Sequence, residues 1–210
     1  QRMHDETLIA PSLLSADFSR IGEELASVST ADVLHYDVMD GHFVPNLTFG
    51  PDVLRAVKAS CELPVDAHLM VCNPDEVVPA YLDAGADLLS FHWEATAHAH
   101  RLVSLVRDRG ARACVALMVL LMTVNPGFGG QRFIPSSVRK LRQLRRMCDE
   151  HGVSPLVEVD GGISAANAAD VCAAGANVLV AGSAVFGAPD RAAAIAQIRE
   201  AGLAGTTKRA

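Results

Sequence analysis

The chain has 210 residues, half of them hydrophobic and only 5% aromatic, enough for one large core built from Ala, Val, Leu and Ile rather than from rings. Its formal net charge of -6 argues against nucleic acid as a partner. Its longest uncharged apolar run, Ala113 to Met122, falls short of the roughly 18 residues a membrane span needs, so no membrane partner is expected. No basic-then-apolar signal peptide opens the chain, and Cys61, Cys72, Cys114, Cys148 and Cys172 form no C-x-x-C pair; a cytoplasmic protein with reduced thiols is expected.

Apolar runs and helical patterns alternate along the chain. Strands are predicted at Leu8–Leu13, Val33–Val38, Val65–Met70, Leu88–His92, Ala113–Leu117, Val119–Val124, Leu156–Val159 and Val178–Ala181. Amphipathic stretches lie between most of them, at Phe18–Val28, Pro51–Ala59, Pro74–Ala84, Thr96–Arg109, Ser136–Glu150, Ala165–Ala174 and Asp190–Ala201. The basic cluster Arg139–Arg146 carries Leu141, Leu144 and Cys148 at helical spacing and reads as a helix with a solvated basic face. With no composition break or linker, the pattern predicts a single α/β domain over residues 1–210 with a parallel sheet. A doubly wound dinucleotide fold would place G-x-G-x-x-G after its first strand, where this chain has Ser12-Leu13-Leu14-Ser15. The glycine-rich turns come late, after strands six, seven and eight, which favours a TIM (β/α)8 barrel with an eight-stranded parallel core.

Three of these strands carry side chains suited to a metal. His35, Asp37 and Met39 alternate onto one face of the second strand, and His68 and Met70 share a face of the third. Asp160 adds a carboxylate at the end of the seventh. Burying such groups together is costly unless they bind something, and one divalent cation held by His35, Asp37, His68 and Asp160 is the simplest common explanation. The mixed N/O donor set does not choose among Zn²⁺, Fe²⁺, Mn²⁺ and Co²⁺. The turns Asn125–Gly130 (with Gly127, Phe128, Gly129 and Gly130), Gly161–Gly162 and Gly182–Ser183 leave peptide N–H groups exposed on one rim, a setting for a phosphate. His92 ends the fourth strand and reads as a structural hydrogen-bonding residue; His98 and His100 read as surface, His42 and His151 as loop residues.

Seven segments resemble the ribulose-phosphate 3-epimerase family along nearly the whole chain: Ala10–Asp17, His35–Gly41, Val44–Gly50, Asp66–Val71, Met122–Gln131, Glu158–Gly162 and Ala181–Phe186. The resemblance implies a barrel with one divalent metal that interconverts D-ribulose 5-phosphate and D-xylulose 5-phosphate in the pentose phosphate pathway. It implies His35, Asp37, His68 and Asp160 as ligands, with Asp37 and Asp160 also serving as the two acid–base groups. Ser12, His68 and the glycine turns are implied to contact substrate, and Met39, Met70 and Met122 to line the reacting centre. A homo-oligomer, dimer or hexamer, is expected. Trp93 departs from the family, where a smaller residue is usual. The closest alternative is another ketose-phosphate 3-epimerase, such as one acting on a hexulose 6-phosphate. A decarboxylase or Schiff-base aldolase would want a lysine at a strand end, whereas Lys58, Lys140 and Lys208 sit in helical stretches or the tail. A catalytically dead phosphate-binding barrel is disfavoured because both aspartates are present.

One feature breaks the alternation. Ala113 to Met122 runs ten apolar residues without interruption, about twice a usual strand. Parallel neighbours need a crossover of a dozen or more residues. Strands five and six therefore look abutted, and a segment holding the fifth helix is expected to be missing between Leu117 and Met118.

Overall fold

The computed structural model describes residues 6–116 and 133–207. Seven strands alternate with helices: β1 (Leu8–Pro11), α1 (Ile21–Ser27), β2 (Leu34–Met39), α2 (Pro51–Ser60), β3 (Val65–Met70), α3 (Pro74–Asp83), β4 (Leu88–His92), α4 (Ala99–Asp108), β5 (Arg112–Ala116), α5 (Ser137–Glu150), β6 (Glu158–Asp160), α6 (Ala165–Ala173), β7 (Val178–Ala181), α7 (Ser183–Phe186) and α8 (Arg191–Thr207). All pairings between them are parallel, in the orders β1-β7-β6 and β2-β3-β4-β5. The two sheets meet where Ser12 bridges His35 and where the Asp32 and Val33 amides donate to the Ile9 carbonyl.

The parallel α/β class stands, while closure into an eight-stranded ring turns on a strand outside the described residues. Among the described residues there are seven strands in two sheets, with β5 and β6 as the outer edges. The predicted sixth strand, Val119–Val124, and the Leu117/Met118 junction lie outside the described residues. The first strand also stops at Pro11 rather than Leu13, because Leu13–Ser15 turns into a 3₁₀ segment.

Local chemistry explains the helix ends. Pro51 and Pro74 open α2 and α3, where a missing N–H costs nothing. The Asn167 side chain accepts from the Ser164 N–H at 2.9 Å at the start of α6. Gly85 and Gly175 follow α3 and α6 with φ of 99° and 121°, the left-handed region that stops a helix. Helix α8 runs further than its predicted end at Ala201 and crosses α6 closely. A Cβ on Gly205 would collide with the backbone of Ala169.

The strand pleat divides the core into three parts. Ile9, Leu34, Tyr36, Leu69, Leu89 and Phe91 point outward and pack with the helices, including Leu102, Leu141, Ile195 and Ile198. Ala10, Val33, Val178 and Val180 form a small apolar floor on the other strand face. Met39, Met70 and Val44 form a third cluster with Leu14 and Phe43. At roughly 1.5–3 kcal/mol for each large side chain buried, the outer layer carries most of the stability.

The predicted α5 needs one correction. Leu141 and Cys148 are buried as expected, yet Arg145 is buried too, so the basic face is not wholly solvated. The Arg145 guanidinium donates to the Gly175 carbonyl at 2.7 Å and to Asn177 Oδ1 at 2.8 Å. It tethers α5 to the turn before β7.

Candidate active site

Strand register assembles the site. Asp37 of β2 stands beside His68 of β3, and His35 stands beside Asp66 one step below. Since residues i and i+2 share a face, His35, Asp37 and Met39 line up with Asp66, His68 and Met70. Asp160, the last residue of β6, comes from the other sheet. His35 Nε2 lies 3.3 Å from Asp37 Oδ1 and 4.0 Å from Asp160 Oδ2. His68 Nδ1 lies 3.4 Å and 3.9 Å from the same two oxygens. One nitrogen or oxygen from each of His35, Asp37, His68 and Asp160 lies within 4.8 Å of all the others.

The donor set has the character of a cation site. His35 and His68 are buried, yet both ring nitrogens of His35 and Nδ1 of His68 lack a hydrogen bond of normal geometry. Buried polar atoms are usually satisfied, so their convergence on two carboxylates fits a divalent ion of the imidazole–carboxylate kind. These four residues would hold it.

Burial and charge set the protonation states. Burial pushes the Asp37 carboxyl up, but the charges and hydrogen bonds of His35 and His68 outweigh it and hold Asp37 well below the usual carboxylate range. Asp160 goes the other way: burial and then the Asp37 charge push it up to about 6. His35 loses basicity to burial but gains more from Asp37, Asp66 and Glu158, so it ends well above the ordinary histidine value.

A further layer sits on the outer nitrogens of both imidazoles. His35 Nδ1 is 3.3 Å from Asp66 Oδ2 and 3.5 Å from Glu158 Oε1. Burial and the Asp66 charge raise the Glu158 carboxyl well above its ordinary range. Ser90 donates to Asp66 Oδ1 at 3.0 Å. His68 Nε2 is 2.9 Å from His92 Nε2. Burial, and next the His68 charge, lower His92 to about 3 and keep its ring neutral. Sequence reading missed Asp66 and Glu158. Each stands two residues before a proposed ligand, on the same strand face, and that alternation was the available signal.

The remaining predicted positions lie around this cage or on the turns above it. The Ser12 hydroxyl donates to Asp37 Oδ2 at 2.6 Å, so in this structure it touches the carboxylate that the substrate would also meet. Met39 and Met70 are buried in the apolar cluster beside the cage. Gly161 and Gly162 have φ of 113° and 67°, which makes the β6–α6 turn possible. Gly182 lies between β7 and α7, where a Cβ would collide with Ser15 Oγ, and Ser183 is at the start of α7. Met122, Gly127, Phe128, Gly129 and Gly130 lie outside the described residues. Asp40 organises the loop after β2: its carboxylate accepts from the His42 and Phe43 amides at 2.8 Å and from the Cys72 amide at 2.7 Å.

A parallel α/β fold with paired imidazoles and carboxylates at its strands, and glycine turns beyond them, defines the class as a barrel-type enzyme with a candidate divalent-cation centre. Solved structures agree on the fold. A 3-hexulose-6-phosphate synthase superposes with a TM-score of 0.67 at 23% identity, covering 93% of this chain and 99% of that one. An orotidine 5'-phosphate decarboxylase from Pyrococcus horikoshii OT3 gives 0.61 at 18% identity, with coverage of 93% and 99%.

The chain belongs to the ribulose-phosphate 3 epimerase family, whose profile matches residues 8–118 and 117–186. Among its relatives, the ribulose-phosphate 3-epimerase of Bacillus subtilis (strain 168) is 49% identical over 211 residues, covering 91% of this chain and 97% of that one. The chloroplastic ribulose-5-phosphate-3-epimerase of Arabidopsis thaliana is 48% identical, covering 92% and 76%. The Escherichia coli (strain K12) enzyme is 45% identical, covering 91% and 94%.

Proposed function

We propose that the protein epimerises C3 of D-ribulose 5-phosphate to give D-xylulose 5-phosphate, with Asp37 and Asp160 as the two proton-transfer groups. The observation that carries this reading is the convergence of both aspartates with two buried histidines in a chain of this family. Inverting a carbon beside a ketone requires removing a proton from one face and delivering one to the other. Asp37, held ionised, suits the base. Its carboxylate takes the C3 proton, and the C–H electron pair moves into an enediolate whose negative charge rests on the C2 oxygen. Asp160, which approaches the same histidines from the other sheet, suits the group that returns a proton to the opposite face. In the reverse direction the roles exchange.

A divalent cation (Zn²⁺, Fe²⁺, Mn²⁺ or Co²⁺), when bound by His35, Asp37, His68 and Asp160, supplies positive charge beside the enediolate oxygens. Met39 and Met70 present polarizable apolar surface that excludes water from this charge, with Met122 assigned the same part by the family resemblance. Ser12 orients Asp37 through its hydroxyl. The glycine turns at Gly127–Gly130, Gly161–Gly162 and Gly182–Ser183 are assigned to the substrate phosphate. The family resemblance also supports a homo-oligomer, dimer or hexamer, in the cytoplasm. No helix among the described residues is long and apolar enough to cross a membrane.

Asp160→Asn tests the two-base arrangement. Turnover of ribulose 5-phosphate should fall by at least about two orders of magnitude, the size expected for losing an acid–base group. Metal content is measured alongside, because the change also alters a ligand. Near-normal turnover in either Asp160→Asn or Asp37→Asn would remove that residue from the mechanism.

A further inference from the structure

The two nitrogens of His68 face different partners. Nδ1 points to Asp37 Oδ1 and Asp160 Oδ2, at 3.4 Å and 3.9 Å, whereas Nε2 lies 2.9 Å from Nε2 of His92. A neutral imidazole carries one N–H and one lone pair, so across that contact one ring donates and the other accepts. A nitrogen that binds a cation must present its lone pair. If His68 uses Nδ1 for this, its proton belongs on Nε2 and is donated to His92. The proton of His92 then belongs on Nδ1, which faces Glu94 Oε2 at 3.9 Å.

The His92 ring is well placed to enforce this choice. It is fully buried, stacked on His68 with centroids 5.1 Å apart, and covered on another side by the Phe43 ring at 4.9 Å. It cannot swing away without opening the core. The reverse arrangement, with His92 donating, would put the His68 proton on Nδ1, aimed between Asp37 and Asp160. That tautomer excludes a cation.

We infer that His92 is a positioning residue of the cation centre, accepting the Nε2 proton of His68 so that Nδ1 keeps its lone pair toward Asp37 and Asp160. The inference rests on the proposal that His35, Asp37, His68 and Asp160 bind a cation. It goes beyond the four ligands by assigning the tautomer of one of them to a neighbour outside that set.

The test uses Zn²⁺ affinity, measured by chelator competition on metal-stripped protein. His92→Leu removes the acceptor and should weaken Zn²⁺ binding by about 10–100-fold, as losses of such supporting partners do. His92→Gln, which restores an acceptor oxygen, should recover most of that loss. Equal affinity in native and Leu proteins would overturn the role of His92 while leaving the cation site intact. A native protein that fails to bind Zn²⁺ would overturn both. Should the Leu variant not fold, nitrogen-15 spectra of the native Zn²⁺-loaded protein decide the matter. A His68 Nε2 proton coupled across the hydrogen bond to an unprotonated His92 Nε2 is expected, and a proton on His92 Nε2 would sink the proposal.

Discussion

Asp37 and Asp160 are the same residue type within a few ångströms of each other, yet their surroundings push their protonation in opposite directions. The histidines hold Asp37 ionised, while burial and the neighbouring Asp37 charge make Asp160 reluctant to lose its proton. In the metal-free protein a cation must therefore displace a proton from Asp160. Zn²⁺ affinity should rise with pH most steeply below pH 6, where Asp160 keeps its proton, and more gently above it, where the proton of His35 is still to be displaced. Chelator competition between pH 5 and 7 measures this, and a flat profile would mean that Asp160 does not compete for the ion. At this scale the grouping of His35 with Asp37 was legible in the sequence, because strand alternation forces them onto one face. Which nitrogen of each histidine faces the carboxylates was not, since that depends on the residues of neighbouring strands. The burial of Arg145 was equally hidden: its partners, Gly175 and Asn177, belong to a turn about thirty residues away.

At the scale of elements, the aligned part of this chain is shorter than its Bacillus subtilis counterpart. The Bacillus subtilis alignment spans 211 residues but includes 91% of this chain, about 191 residues, leaving about twenty positions without a counterpart. The family match is likewise split where residues 117 and 118 meet. A parallel neighbour of β5 in the same sheet needs a crossover of a dozen or more residues, and a crossover helix would also cover the outer face of the sheet. Inserting at Leu117/Met118 the roughly twenty residues that the relative carries should therefore raise both kcat/KM and thermal stability. Each kcal/mol recovered would appear as about 2–4 °C in Tm for a chain of this size. Unchanged activity and melting would show that the short connection costs nothing. Other elements read well from the sequence wherever punctuation was local, as at Pro51, Pro74, Gly85 and Gly175. Helix α7 did not, because four residues carry no periodicity of their own.

For the whole molecule, the cation cage and the glycine turns have to serve one substrate at once. If the turns at Gly161–Gly162 and Gly182–Ser183 bind the phosphate, its binding energy holds C3 between Asp37 and Asp160. Unphosphorylated ribulose should then show kcat/KM lower by several orders of magnitude, and comparable values for the two sugars would detach the turns from catalysis. The sequence by itself determined the alternation of strands and helices, the parallel α/β class, the family and the four candidate ligands, because periodicity, glycine turns and strand pleat are properties of neighbouring residues. Only the tertiary structure decided the pairing of Asp37 with His68, the placement of Asp66 and Glu158 beneath His35, the contact of His92 with His68 and the opposed protonation of the two aspartates. Each of these depends on distances between strands far apart in the chain, and on burial that no local pattern records.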